Sequence, residues 1–162
     1  MLAQIGLACA PRFEKRLPPP FMRKSGLVLD GKLTELARLT AETAQFCSSH
    51  GLAVDVEFDL TLVLEELFVN SVRHGGCDGM DGAAEVHFTM LADGVALEYA
   101  DRGMPFDHTG APTPDVAAPL AERLEGGLGI HLMRQIMRDF EYHRLGGWNR
   151  IRMRRPIPAE GT

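Results

Sequence analysis

Apolar residues recur along this chain with two different periods, one helical and one of strands, and the switch between them divides it into elements. A short apolar run at 26–29 predicts a first strand. Asp30 stands where a helix N-cap is expected. Leu33, Leu36, Ala37, Thr40, Ala44 and Cys47 follow at helical spacing, which predicts an amphipathic helix over 31–49 ended by His50-Gly51. A second helix is predicted over 55–74. Its first turn is acidic (Asp55, Glu57, Asp59), its apolar side is Leu60, Val63, Leu64, Leu67, Phe68 and Val72, and Gly75-Gly76 stops it.

The period then changes to two. Val86, Phe88 and Met90 alternate with Glu85, His87 and Thr89, and Val95, Leu97 and Tyr99 alternate with Ala96 and Glu98. Ala92-Asp93-Gly94 between them is a turn signal, so 83–100 reads as a hairpin with one wet face. Residues 102–125 have no period and carry four prolines (Pro105, Pro112, Pro114, Pro119), the pattern of a long functional loop such as a lid. A third helix is predicted over 127–139, with Ile130, Leu132, Met133, Ile136 and Met137 on its apolar side. Strands at 140–145 and 148–153 follow around Gly146-Gly147. This order predicts an α+β fold, a two-layer α/β sandwich in which a mainly antiparallel mixed sheet is covered by about three helices.

Composition changes this picture little. The chain has 162 residues, 45% hydrophobic and 24% charged, which suits one folded domain with a core of its own. The net charge of −5 argues against a general nucleic-acid surface and against adsorption to membranes. Arg150, Arg152 and Arg154 form a basic row on the last strand, but Glu85, Glu98 and Glu141 are expected on the same face, making it solvated and charge-balanced. The three cysteines, Cys9, Cys47 and Cys77, are far apart and read as reduced thiols of a cytoplasmic protein. The first ten residues lack the basic start of a secretory signal, and Pro18-Pro19-Pro20 reads as extended linker. Residues 1–24 are therefore taken as a flexible extension, 25–155 as the folded domain and 156–162 as a tail. Met22 is an alternative start.

Three clusters carry chemistry. Glu66, Asn70 and His74 share one side of the second helix, with Arg73 at its edge. An exposed polar face is the plain alternative. The chemical reading gives Asn70 a magnesium ion through its amide oxygen and makes Glu66 the acceptor of a proton from an attacking hydroxyl. Asp101-Arg102-Gly103-Met104-Pro105-Phe106 lies where a strand ends, and a carboxylate there accepts from an exocyclic amine such as adenine's, while Gly103 lets backbone come close to a base. Gly126-Gly127-Leu128-Gly129-Ile130 opens a helix with free N–H groups, an anion site in character and no Walker loop.

The order and spacing of these clusters resemble the N, G1 and G2 boxes of the gyrase–Hsp90–histidine kinase–MutL (GHKL) ATPase superfamily. Within it they are most similar to the RsbW-like anti-sigma-factor serine/threonine kinases. The residues that carry the resemblance are Glu66-x-x-x-Asn70-x-x-Arg73-His74-Gly75, Asp101-x-Gly103-x-Pro105-Phe106-Asp107, and Gly126-Gly127-Leu128-Gly129-Ile130 with Leu132-Met133-Arg134. The resemblance covers about residues 26–154. It implies a Bergerat-type, histidine kinase-like ATPase fold that binds ATP and Mg²⁺. Glu66 would be the general base and Asn70 the magnesium ligand, with Arg73 beside the nucleotide. Asp101 would take the adenine amine, supported by Gly103, and Gly127, Leu128 and Gly129 would lie at the phosphates. Residues 102–125 would be the ATP lid, from which Arg123 could reach the γ-phosphate. The resemblance further implies phosphorylation of a serine on a STAS-domain anti-anti-sigma protein, capture of a sigma factor, and a homodimer.

One position departs from the pattern. Many relatives carry a Thr after the glycine of the last hairpin, expected near the terminal phosphate, and here Trp148-Asn149 follows Gly147. Two rival readings remain. A self-contained histidine kinase needs a phospho-accepting His, commonly followed by an acid, and none of the six histidines is. A nucleotide-dependent adaptor that switches partners without phosphotransfer would not need Glu66 as a base.

Overall fold

The computed structural model describes residues 26–106 and 127–157. Strand β1 (Leu27–Leu29) leads through a 3-10 turn at Leu33–Glu35 into helix α1 (Leu36–Ser49) and then helix α2 (Val54–Arg73). The hairpin of β2 (Ala84–Leu91) and β3 (Gly94–Asp101) follows. Helix α3 (Gly127–Ile136) precedes the second hairpin, β4 (Arg138–Leu145) and β5 (Trp148–Pro156). The strands form one sheet in the order β1-β2-β3-β5-β4, and every pairing is antiparallel. The core lies between the sheet and the helices, where Leu60, Val63, Leu64, Leu67 and Phe68 of α2 meet Val86, Val95, Leu97, Tyr99, Ile151 and Met153.

Helix α2 matches its expected bounds and its expected apolar side. All six residues assigned to that side are buried, because a stripe this wide leaves only one way to face a sheet. The first hairpin also matches, with Leu91 opposite Gly94 across a two-residue turn. Three local expectations fail. Asp30 caps no helix: its Oδ1 accepts from the Gly82 amide at 2.9 Å, tying β1 to the turn before β2. The buried side of α1 is Leu39, Thr43 and Cys47; of the expected stripe Cys47 is buried and Leu36 packs partly against the core, while Leu33 and Ala37 are exposed. The 3-10 turn shifts the phase there, and Thr43 is tolerated inside because its hydroxyl donates to Leu39 O at 2.8 Å. Helix α3 ends at Ile136, and Leu132 on its expected apolar side is 36% exposed. The guanidinium of Arg138 lies within 2.8–3.1 Å of the Arg134, Gln135 and Met137 carbonyls and closes the helix end, after which Asp139 turns at φ 57°.

The arginine row is charge-balanced. Arg150 and Arg152 bracket Glu98 at 3.3 and 3.1 Å, and Arg154 meets Asp139 and Asp93 at 2.6 and 3.0 Å. The face is less solvated than expected, since the side chains of Glu98 and Arg152 are only 12% and 14% exposed. Arg155 instead joins the layers, bonding Asp59 of α2 at 2.7 Å. Among the described residues no helix is long and apolar enough to cross a membrane.

Candidate functional site

Helix α2 presents its polar residues at one side of the core layer. Asn70 Nδ2 donates to Glu66 Oε1 at 2.9 Å, one helical turn away. That bond holds the amide nitrogen, leaving Oδ1 as the group available to a cation. Helix α3 starts against the same pair. A Cβ built on Gly129 would lie 1.9 Å from Glu66 Cδ and 2.1 Å from its Oε1. Only a glycine lets the helix start come this close to the carboxylate. Gly127 and Leu128 precede it in the first turn of α3, where unpaired backbone N–H groups gather. Arg73 is exposed at the last position of α2. His74, expected on the same helix face, is already outside the helix, with its N–H bonded to Asn70 O. Arg123 lies outside the described residues, as does the lid beyond Phe106.

Asp101 ends β3 and is only 4% exposed. Its Oδ1 accepts from the Gly103 amide and from Asn149 Nδ2, each at 2.8 Å. Its Oδ2 lies 3.1 Å from the Ser71 hydroxyl. Gly103 is pressed between neighbours: a Cβ there would sit 2.7 Å from Gly75 O and 2.9 Å from Asp101 Oδ1. The Met104 amide also donates to Gly75 O at 2.8 Å, so the turn after β3 is sewn to the end of α2. Cys77 lies beside this turn, and burial pushes its thiol pKa up, aided by the negative charge of Asp101.

Asn149, which stands in the last hairpin where many relatives carry a Thr, is opposite Asp101 in the β3–β5 register and 5% exposed. Its Nδ2 donates to Asp101 and to Met104 O at 2.9 Å, and its Oδ1 accepts from Tyr142 at 2.9 Å and Arg144 at 2.6 Å. With both ends of the amide engaged, Asn149 is a strut for Asp101. Beside it, Arg102 and Arg150 lie 5.7 and 5.9 Å from the ring centre of Trp148, the chain's only tryptophan.

Sequence reasoning missed Ser71, Tyr99, Tyr142 and Arg144. Tyr99 was read as core, yet its hydroxyl reaches Ser71 Oγ at 2.8 Å. A phenol on a fully buried strand face needs a partner, and that requirement was the available signal.

The donor set is compatible with a magnesium nucleotide. Among the described residues no three His, Cys, Asp or Glu side chains gather into a metal cage. Mg²⁺ requires no such cage when phosphate and water complete its shell. One oriented amide, a carboxylate and the glycine cradle at the α3 start match that kind of site.

Comparison with known proteins identifies the family. Residues 29–155 match the family model described as the histidine kinase-like ATPase domain. The chain is 34% identical over 96 residues to the serine/threonine-protein kinase BtrW of Bordetella bronchiseptica, covering 59% of this chain and 68% of that protein. It is 35% identical over 95 residues to the serine-protein kinase RsbW of Bacillus pumilus, covering 51% of this chain but only 55% of that one. Among solved structures, the RsbU and RsbW domains of Rv1364c from Mycobacterium tuberculosis superpose with a TM-score of 0.60 at 14% identity. That match covers 83% of this chain and 33% of the other, and it speaks for the fold. With an antiparallel sheet under three helices, an Asn–Glu pair against a glycine-opened helix and a carboxylate at the end of β3, the chain belongs to the histidine kinase-like ATPase family.

Proposed function

We propose that this protein is an ATP-dependent serine/threonine protein kinase of the partner-switching type. The observation that carries this reading is the Glu66–Asn70 bond beneath Gly129. It sets a carboxylate, an amide oxygen and a helix N-terminus together on one side of α2, while Asp101 stands at the other end of the same site, tied to α2 through Ser71. A pure nucleotide binder has no use for a base at that place.

Asn70 holds Mg²⁺, which neutralises phosphate charge when bound. Asp101 takes the exocyclic amine of adenine, and Gly127, Leu128 and Gly129 lie along the phosphates with Arg73 and Arg123 as further nucleotide contacts. Glu66 receives the proton of the partner's serine hydroxyl. The serine oxygen forms a bond to the γ-phosphorus, the bond from that phosphorus to the β–γ bridging oxygen breaks, and ADP leaves. The Asn70 amide takes one acceptor position on Oε1 of Glu66, so Oε2 is the less engaged oxygen for the proton. The partner class is a STAS-domain anti-anti-sigma protein, with a sigma factor as the alternate ligand of a cytoplasmic homodimer. BtrW and RsbW, named as serine/threonine- and serine-protein kinases, support the kinase reading.

The test is phosphate transfer from γ-labelled ATP to purified STAS-domain proteins. Serine labelling that is lost in Glu66→Gln, with ATP affinity retained, is the expected result. Labelling that survives the substitution removes the role given to Glu66. Tight ATP binding with no labelling of any partner favours an adaptor.

A further inference from the structure

Tyr99, Ser71 and Asp101 form a buried chain of polar groups that the mechanism above does not use. Tyr99 Oη lies 2.8 Å from Ser71 Oγ, and Ser71 Oγ lies 3.1 Å from Asp101 Oδ2. Tyr99 is 1% exposed and Ser71 6%. Burial pushes the Tyr99 phenol well above its ordinary pKa, so it remains an O–H donor at neutral pH. Ser71 has one proton and two acceptors in reach, the Leu67 carbonyl at 2.9 Å and Asp101 at 3.1 Å. The Tyr99 hydroxyl donates to Ser71 Oγ. The carboxylate is the stronger acceptor of the remaining Ser71 proton, because hydrogen bonds to an ionised group are roughly twice as strong as neutral ones. The chain then runs in one direction, from Tyr99 through Ser71 to Asp101.

A carboxylate offers about four lone-pair positions. On Asp101 the Gly103 amide and Asn149 Nδ2 take both positions on Oδ1, and Ser71 takes one on Oδ2. Among the described residues no partner takes the second position on Oδ2, which suits a single N–H. The placement follows from the fold. Tyr99 and Asp101 are two apart on β3 and share a face of the sheet, and Ser71 follows Asn70 on α2, so the chain also links the two ends of the site.

We propose that Tyr99 and Ser71 are positioning residues that fix the Asp101 carboxylate and thereby set the preference for a purine bearing a 6-amino group. The inference rests on the nucleotide reading above. Fixing the carboxylate in advance removes rotamer freedom that a nucleotide would otherwise have to freeze, and it aims the last acceptor position at one place. Neither residue touches the γ-phosphate, so the effect belongs to nucleotide affinity and not to the transfer step.

The test compares Mg·ATP with the Mg complex of purine riboside triphosphate, which lacks the 6-amino group. Affinity is read from Trp148 fluorescence, and KM and kcat from partner phosphorylation. Wild type is expected to favour ATP by about 10-fold or more, the range of a hydrogen bond to a charged group. Tyr99→Phe and Ser71→Ala should each lower that ratio about three- to tenfold by weakening ATP alone, raising KM with kcat unchanged. The double variant removes both hydroxyls, leaves no orphaned partner between them, and should lose no more discrimination than either single one. Equal weakening of both nucleotides, or a ratio unchanged in all three variants, overturns the proposal. Asp101→Asn separates the two levels: a ratio that survives that substitution removes the adenine assignment itself.

Discussion

Gly129→Ala separates the fold from the chemistry. The new Cβ would meet Glu66 Cδ at 1.9 Å, where ordinary contact begins near 3.4 Å, so the carboxylate must retreat by about 1.5 Å. What it meets is the end of a flexible side chain, and the conflict resolves by rotating Glu66 out of the site and breaking its bond to Asn70. The helix itself benefits, since Ala in place of Gly in a helix is worth about 0.5–1 kcal/mol. For a domain of this size that corresponds to about 1–4 °C in melting temperature. With the role proposed for Glu66, the transfer step suffers: a displacement of about 1 Å in a positioned group costs on the order of 100-fold, and loss of a general base about 100- to 10,000-fold. The expected result is a melting temperature unchanged or slightly raised, with single-turnover phosphorylation at saturating Mg·ATP reduced by about 100-fold or more. Differential scanning fluorimetry and a quench-flow assay on the same preparation measure both. Transfer within about threefold of wild type would refute the coupling of Glu66 to the α3 start. A fall in melting temperature of about 5 °C or more would show that the clash is absorbed by backbone instead.

Other expectations follow from the same geometry. Asn70→Ala should weaken Mg·ATP binding by about tenfold or more while leaving metal-free nucleotide binding nearly unchanged, as read by calorimetry with and without EDTA. Gly103→Ala forces a Cβ against Gly75 O and Asp101 Oδ1, and should destabilise the fold by about 1–3 kcal/mol in urea titration as well as weaken ATP binding. Burial raises the Cys47 thiol from its ordinary 9.0 to about 11 and raises the thiol of Cys77 and the phenol of Tyr99 as well. All three hold their protons more tightly when folded, so stability is complete below about pH 9 and falls as pH rises towards 11. Urea midpoints that stay constant from neutral pH to about pH 10 would contradict this, and Cys47→Ala should flatten part of the slope. Duplex DNA should show no steeply salt-dependent binding, because Arg150, Arg152 and Arg154 are already paired with Glu98, Glu141, Asp93 and Asp139.

The sequence by itself determined the elements whose signals are long or chemically unambiguous. Helix α2 was legible because six apolar residues at helical spacing between an acidic start and a Gly-Gly stop admit one phase. The first hairpin was legible from strict alternation around Asp93-Gly94, and the family from the resemblance that three clusters carry by their order and spacing. Tertiary structure decided the rest. The phase of α1 depended on a 3-10 turn, Asp30 found Gly82 across 52 residues, and α3 ended where the guanidinium of Arg138 reached its carbonyls. The sequence left the role of Asn149 open, and the antiparallel register sets it opposite Asp101. The Tyr99–Ser71–Asp101 chain joins a strand to a helix about 30 residues away. Periodicity reports only which face of an element is apolar. Which polar groups meet inside is settled when strand register and helix placement bring distant segments within hydrogen-bond distance, and there each buried donor has to find its acceptor.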